Sequence, residues 1–505
     1  MPRPFLTLLF LSWTCWTFAR RFSAFQTESR VSAAKAGRVT WRVTPPRPTT
    51  RLGRLRSSPV DPADDAIPPA MASADAGQPP SRPFRIRTIT AFVRLDGGDM
   101  TEDGRLERKI GACSAALRSL ESSLTGIGFE VQTVRIATNP FAEWLTRDGS
   151  GGGGPPPAKR AKDDGLEVVR ARLSRLDALL EEHGIQFFSC GPSNDPDDTL
   201  RVCPAIVAAS GRFCCSANVD ADGVESARAA AGCIRAISTM EGGEHLAGGL
   251  GNFRFCAASC VESVPFFPGG RAPACLPDGE VGIAVGLENG GFMRTLLGEA
   301  GSVVDAQRVL HSRLAEELAP IQEICGGYKP RCDDGDIAVK FFGIDTSLNP
   351  SLDEGGSVAA ALEALEEVRG AFGGTGSLAA AAAVTRAIQS VPGIANTGYS
   401  GLMLPVLEDR RLAELANSGG DAGEGLSIQQ LLCISSVCGV GIDTVPVPGD
   451  VSVDRLSSLI LDVAALAGRW NKPLSCRVFP VPGGKAGDLT TFDSPYMCNS
   501  RIFEV

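Results

Sequence analysis

Strand-like and helix-like patterns alternate through most of this 505-residue chain, and that alternation limits the folds it can adopt. A β-rich run, FRIRTITAFVRL, begins at Phe84, and a segment with helical spacing follows at residues 106–128. A second strand pattern covers residues 129–138, and similar pairs recur as far as LSCRVFPV near the C-terminus. This spacing predicts an α/β architecture with many strands. No second linker divides residues 84–505, so we expect one large domain there.

Two segments within that domain have unusual composition. Residues 147–164, RDGSGGGGPPPAKRAKDD, cannot build regular structure and predict a flexible surface insertion. Residues 377–391, SLAAAAAVTRAIQSV, form an Ala-rich apolar helix pattern that is too short to span a membrane. We interpret this second segment as a packed core helix.

The N-terminal region differs from the rest of the chain in charge. Residues 1–60 hold eleven Arg and Lys against one acid, Glu28. The apolar run FLTLLFLSWTCWTFA predicts a signal peptide over residues 1–24. Residues 25–60 are rich in Arg, Ser and Thr, as transit peptides are, and residues 61–83 form a Pro/Ala/Asp linker.

This order resembles the bipartite presequence that directs proteins to the secondary plastids of algae. We therefore predict the plastid (chloroplast) stroma as the location. The alternative is secretion, with an ordinary signal peptide and a disordered pro-segment.

Charge limits the partners of the remaining 445 residues, which carry 38 basic and 57 acidic side chains. Such an acidic body binds nucleic acid and anionic membranes poorly. We expect no nucleic-acid partner and no membrane association of the mature form, and a homo-oligomer is possible.

Histidine and cysteine usage narrows the chemistry. Only three histidines occur, which argues against Ser-His-Asp hydrolysis and His-rich zinc sites. The adjacent Cys214 and Cys215 would point to opposite faces of a strand, and no CxxC pair occurs. The FGGTGS loop is not a GxGxxG motif, so a dinucleotide fingerprint is not supported there, and the sequence gives no evidence for haem, nicotinamide or flavin. The cofactor is unknown, with Mg²⁺ possible.

Two Gly-rich loops could bind anions. VPGGKAGD, with Gly483 and Lys485, follows a strand and could form a nest of backbone N–H groups, or simply a tight turn with a solvated lysine. FGGTGS, with Gly374 and Thr375, runs into the Ala-rich helix. A helix N-terminus attracts anions, but Thr375 or Ser377 could equally be the N-cap.

The tetrapeptide Gly-Ile-Asp-Thr occurs twice, and places Asp345 and Asp443 after strand patterns. With Asp450, these carboxylates could bind Mg²⁺ or exchange protons. Alternatively, each caps backbone N–H groups of a turn.

Several motifs together resemble the family called domain of unknown function 711, also known as uncharacterised protein family 0210. They are IRTITAFV, VQTVRIATNPF, GLENGG, FFGIDTSLNPSLDEGGSV, FGGTGS, GYSGLMLPV, CGVGIDTVPVPGD and RVFPVPGGKAGD. The resemblance covers about residues 84–505 and implies a ten-stranded α/β barrel, like the glycyl radical enzymes related to pyruvate formate-lyase. It implies no established activity. The C-terminal SPYMCNSRIFEV lacks a glycine, which argues against glycyl radical chemistry.

We therefore expect an enzyme that acts on a small anionic metabolite inside the barrel, or alternatively a sensor that only binds it. The ligand-binding candidates are Arg477, Lys485, Gly483, Gly374, Thr375 and Glu288. The catalytic candidates are Asp443, Asp488, Tyr399 and Cys438, and the metal candidates are Asp345 and Asp450.

Overall fold

The structure, a computed structural model, describes residues 81–146, 164–329, 338–418 and 425–505. The predicted presequence, and the predicted insertion up to residue 163, lie outside these ranges. No helix in the described ranges is long and apolar enough to cross a membrane.

Nine strands form one sheet in the spatial order β7-β6-β1-β2-β3-β4-β5-β9-β8. Their bounds are β1 Arg85–Val93, β2 Val134–Thr138, β3 Phe187–Ser193, β4 Phe213–Asn218, β5 Phe255–Ser259, β6 Val281–Glu288, β7 Val339–Asp345, β8 Gly441–Pro448 and β9 Leu474–Val481. Strands β1 to β5 are parallel neighbours in chain order. Strands β6 and β9 run antiparallel to β1 and β5 at the two sides. The predicted α/β class is confirmed.

Eleven α-helices connect the strands within the described ranges. They are α1 Arg105–Thr125, α2 Asp164–Glu182, α3 Pro196–Ala209, α4 Val224–Ser238, α5 Gly290–Ala300, α6 Val303–Gly326, α7 Val358–Leu362, α8 Ser377–Ile388, α9 Arg410–Asn417, α10 Ile428–Cys438 and α11 Val453–Trp470. Helix α1 shows why they pack: its buried Leu106, Ile110, Leu117 and Leu124 recur at three to four residues or multiples of that spacing, on one face. That face joins the main core against alternate residues of the strands.

One irregular segment, residues 395–407, joins the two edges of the sheet, and we call it the closing segment. On one side, Ile344 N of β7 donates to Ala395 O at 2.8 Å, and Met403 N donates to Leu348 O at 2.9 Å. On the other side, Val406 N donates to Asp443 O of β8 at 3.2 Å. The closing segment thus takes the tenth position of a closed barrel. The relation of this barrel to the glycyl radical enzymes stays a prediction.

The connection between β5 and β6 enters the barrel, and we call residues 260–276 the plug loop. Pro265 O accepts a hydrogen bond from Thr90 Oγ1 of β1 at 2.8 Å, and Gly270 O accepts one from Ser189 Oγ of β3 at 2.6 Å. Near the C-terminal ends of the parallel strands, the plug loop also packs its apolar side chains against inward-facing residues of β1, β2 and β6. The plug loop therefore fills one half of the interior and leaves space in the other half.

Candidate functional site

A cavity of about 90 Å³ lies in that remaining space, beside the N-terminal ends of the parallel strands. Its wall includes Arg87 of β1, Arg135 of β2, Phe187 of β3, Cys214 of β4 and Arg254, which directly precedes β5. The plug loop, the closing segment and strands β8 and β9 complete the wall. One water needs about 10–15 Å³ of such space, so the cavity suits a ligand of roughly six to nine non-hydrogen atoms.

Arg477 of β9 is the centre of a buried ion-pair network on one side of the cavity. Its Nε donates to Asp443 Oδ1 at 2.6 Å and its Nη2 donates to Glu408 Oε1 at 2.7 Å. The guanidinium also lies 5.0 Å from the ring centre of Phe253. Both carboxylates raise the pKa of Arg477, and their effect exceeds that of burial, which lowers it. This arginine therefore stays charged and holds both acids in place.

The network continues to a second arginine, Arg87. It pairs with Glu408, at 3.4 Å, and with Glu288, the last residue of β6. Glu288 is buried, and it also accepts hydrogen bonds from Arg85 and from Gln132. Glu288, predicted as a ligand-binding residue, thus lies next to the cavity with its oxygens already engaged.

Arg135 is arranged differently from these paired arginines. Its guanidinium contacts two aromatic rings, 5.1 Å from the centre of Phe187 and 5.3 Å from that of Phe267. Its Nε donates to Thr133 Oγ1 at 3.0 Å, and it forms no ion pair with any described carboxylate. Burial and the positive charge of Arg87 lower the pKa of Arg135 to about 9. It therefore remains cationic at pH 7 without a salt-bridge partner among the described residues.

Three further groups on the wall can carry protons. Burial raises the pKa of Glu408, although Arg477 opposes that effect. Burial likewise raises the pKa of the Tyr399 hydroxyl and that of the Cys214 thiol, so both are neutral at pH 7. Of these, only Glu408 is an acid whose ordinary pKa is below neutral, and the shift moves it toward the range useful for proton transfer.

The structure brings together three of the predicted site residues, Arg477, Asp443 and Tyr399, on the cavity wall. Four others lie outside the wall and are turned to solvent beyond the ends of β8 and β9: Gly483, Lys485, Asp488 and Asp450. The Lys485 N–H donates to Asp488 Oδ2 at 2.9 Å, so the glycine-lysine loop forms a turn closed by its own aspartate. Their predicted roles stay predictions.

Gly374 and Thr375 lie exposed before α8, and neither lines the cavity. Neither Thr375 nor Ser377 is the N-cap of α8, which is Gly376 with φ of 93°. Any side chain at residue 376 would also contact Glu367 O, with its Cβ only 1.8 Å away. Glycine is therefore required here by the backbone itself.

Asp345 is fully buried, and it organises the start of the closing segment. Its carboxylate accepts hydrogen bonds from the backbone N–H groups of Tyr399 and Ser400, at 2.8 and 2.9 Å, and from the hydroxyl of Ser347 at 2.6 Å. Burial raises the pKa of Asp345, and these hydrogen bonds lower it. Asp345 and Asp450 are not brought together, and no group of three potential metal ligands occurs in the described ranges. The residues present do not fit a Mg²⁺ site at these positions.

Cys438 is buried at the end of α10, and its Sγ contacts Leu402 O at 3.9 Å. It does not line the cavity. Lys472 donates to the carbonyls of Cys438 and Gly439, at 2.8 and 3.0 Å, and so completes the C-terminus of that helix. Burial lowers the pKa of Lys472 to about 8.

The interpretation of the sequence missed Arg135, Arg254 and Glu408. Arg135 had a signal, because it interrupts the apolar strand VRIAT at a position that alternation places opposite Val134 and Ile136. Cys214 and Cys215 do point apart as predicted: Cys214 lines the cavity, whereas Cys215 lies in the core beneath the helices.

Comparison of the sequence with known proteins identifies relatives of this chain. The sequence profile of the family described as Uncharacterised ACR (DUF711) matches residues 80–494. The chain belongs to the DUF711 family. A UPF0210 protein of Pyrobaculum islandicum is 31% identical over 389 residues, covering 74% of this chain and 78% of the relative. One of Methanopyrus kandleri is 29% identical over 432 residues, covering 81% and 88%. One of Limosilactobacillus reuteri is 33% identical over 243 residues, covering 47% and 51%. The DUF711 profile thus includes every strand that contributes to the cavity wall.

Proposed function

We propose that this DUF711 protein is an enzyme that acts on a small organic anion in the barrel cavity. Arg135 binds a carboxylate of the ligand, and Glu408 transfers a proton. The observation that carries the proposal is the open guanidinium of Arg135, a cation on the cavity wall that forms no salt bridge with any described carboxylate.

The surroundings of Arg135 support its role as a receptor. Phe187 and Phe267 both place a ring against its guanidinium, and its Nε–H donates a hydrogen bond to Thr133. Its two terminal amino groups make no hydrogen bond with any described residue. Two parallel N–H donors match the two oxygens of a carboxylate, and the flanking rings hold the donor plane fixed before the ligand arrives.

Glu408 supports an enzymatic role, because a carboxyl group with a raised pKa inside a cavity is a candidate acid or base. A second function is favoured by a different feature of the same residue. Both of its oxygens are engaged, one with Arg477 and one with Arg87. If those ion pairs are purely structural, the protein binds the anion without converting it and acts as a metabolite sensor.

Binding is tested by isothermal titration calorimetry of the full chain with small carboxylates at low ionic strength. We expect Arg135→Met to weaken binding about 10- to 100-fold, since it removes a charge-assisted pair of about 1.5–3 kcal/mol. Arg135→Lys should lose less, because it keeps the charge. Arg308→Met, which removes an exposed arginine paired with Asp305 on α6, is the matched control and should bind normally. Equal affinity of the Arg135→Met and Arg308→Met proteins would refute the receptor role.

Proton transfer is tested with the carboxylate that binds best. Its C–H groups next to the carboxylate are followed by NMR in D2O with the parent protein and with Glu408→Gln. An enzyme with Glu408 as the base should exchange or convert the ligand, and the variant should bind it but lose that activity. Tight binding without exchange or turnover in the parent protein would favour the sensor.

A further inference from the structure

The cavity wall holds arginines with and without a carboxylate partner. Five arginines line it, and three of them have carboxylate partners in the part of the chain that the structure describes. The paired arginines are Arg87, with Glu288 and Glu408, Arg212, with Asp177 and Glu181, and Arg477, with Asp443 and Glu408. The other two, Arg135 and Arg254, have no such partner within the described ranges.

Arg254 is held in place by neutral groups only. Its Nε donates to Gly211 O at 2.8 Å, and its Nη1 donates to His245 O at 3.0 Å. Backbone carbonyls orient a guanidinium but do not neutralise its charge. The remaining N–H groups of Arg254, including both on Nη2, make no hydrogen bond to a described residue. Arg254 is thus a second fixed cation with free donors at the cavity.

Arg254 and Arg135 line the same small cavity. Cys214 also lines it, on β4 between β3 and β5. The thiol is neutral at pH 7, because burial raises its pKa, so it does not serve as their counter-ion. Two cations without a salt-bridge partner therefore line one small cavity, where an uncompensated charge is more costly than in bulk water.

We propose that the ligand of this cavity is a compact dianion, with one negatively charged group on Arg135 and the other on Arg254. This inference rests on the proposed function and specifies its substrate class. A monocarboxylate would leave one guanidinium without a counter-ion, whereas a short dicarboxylate or a small phosphate ester neutralises both. The volume of about 90 Å³ restricts the choice to small molecules.

The test compares probes of matched size by calorimetry of the full chain, at constant ionic strength. Malonamate is paired with malonate, succinamate with succinate, and methyl sulfate with methyl phosphate, so that each monoanion matches its dianion in size. We expect each dianion to bind at least 10-fold more tightly than its partner. Whichever class of dianion binds more tightly, the dicarboxylates or the phosphate ester, identifies the chemical class of the ligand.

Variants of the two arginines test whether Arg254 binds the second negative charge of the ligand. Arg254→Met should remove the preference for dianions while binding of the monocarboxylates changes less than 3-fold, whereas Arg135→Met should weaken both. Because Arg254 also connects two loops, Arg254→Lys serves as a milder variant. It should keep part of the preference, and circular dichroism confirms that each variant is folded.

Two results would overturn the dianion proposal. One is equal affinity of monoanions and dianions for the parent protein. The other is an equal loss of both in folded Arg254 variants. These differ from failure of the proposed function, in which none of the anions binds the parent protein at all.

Discussion

Replacing Arg477 with methionine should show how much the buried ion pairs beside the cavity contribute to the stability of the protein. Arg477 has only 8% of its side chain exposed, and its two carboxylate partners, Glu408 and Asp443, have 11% each. Arg477→Met keeps much of the side-chain volume but leaves two acids side by side without a counter-ion. Arg87, 3.4 Å from Glu408, is the salt-bridge partner that remains among the described residues.

The cost follows from that geometry. Removing one partner of a buried ion pair costs about 3–5 kcal/mol of stability, because an uncompensated charge remains in a poorly solvated place.

The loss of stability should depend on pH. The folded-state pKa of Glu408 is already raised by burial, and loss of Arg477 raises it further. A carboxyl with a raised folded pKa stabilises the fold below its unfolded pKa of about 4.3, and loses that contribution as pH rises through the folded value. The penalty of Arg477→Met should therefore be largest near pH 8 and shrink toward pH 5.

Urea unfolding of the full chain at several pH values measures this penalty against the parent protein. Adding Glu408→Gln and Asp443→Asn to Arg477→Met removes the orphan charges and should recover at least about half of the loss. The matched control is Arg411→Met, whose salt bridge with Glu363 is more exposed and should be worth at most about 1 kcal/mol. A loss of stability in Arg477→Met no larger than in Arg411→Met, or one that is the same at pH 5 and pH 8, would refute the role of uncompensated buried charge.

Three further predictions concern Lys472, Asp345 and Cys214. The folded pKa of Lys472 is about 8 against an ordinary 10.5, so the contribution of this residue to the stability of the fold rises with pH between those values. In urea unfolding, the stability of the parent protein relative to Lys472→Met should therefore grow by up to about 3 kcal/mol over that range, and a constant difference would contradict a buried amine. Asp345→Asn should lower the free energy of unfolding by at least about 2 kcal/mol in the same assay, because an amide cannot accept all the hydrogen bonds made to the carboxylate. A decrease below about 0.5 kcal/mol would show that these hydrogen bonds are dispensable. Burial raises the pKa of Cys214, so mass spectrometry should find it alkylated far more slowly than the exposed Cys433, and comparable rates would show an open cavity.

Local patterns predicted the elements of the fold well, because they depend only on neighbouring residues. The helix pattern at residues 106–128 corresponds to α1, Arg105–Thr125, and the Ala-rich pattern at 377–391 corresponds to α8, Ser377–Ile388. The strand predicted at residues 129–138 is shorter, since β2 begins only at Val134. Phe129 has strand-like character but packs on Phe84 beside the turn that follows α1. An aromatic residue at that position satisfies tertiary packing, which a single-sequence pattern does not distinguish from a strand.

The candidate site was harder to predict, because its charges come from distant parts of the chain. Arg477 is 34 residues from Asp443 and 69 residues from Glu408. Sequence composition drew attention to glycine-rich loops, where anion sites are common, but the structure places Lys485 in solvent. Glu408 stands in the polar run LEDRR, which has the composition of an exposed helix start. Only the closure of the sheet by residues 395–407 turns that glutamate toward the cavity.

The location of the cavity also follows from the plug loop. Open α/β sheets usually bind ligands at the C-terminal ends of their parallel strands. Here that half of the barrel is filled, because Ala272 N donates to Thr138 O at 3.0 Å and Leu276 packs in the cluster that contains Phe92. The open half lies at the N-terminal ends of β1 to β5, where the cavity collects Arg87, Arg135 and Arg254 at or beside the first residues of their strands. Strands β8 and β9 and the closing segment supply the acids and Arg477 at the same level. A site of this kind therefore requires closure of the barrel, which places the acids of the C-terminal third opposite the arginines of the N-terminal half.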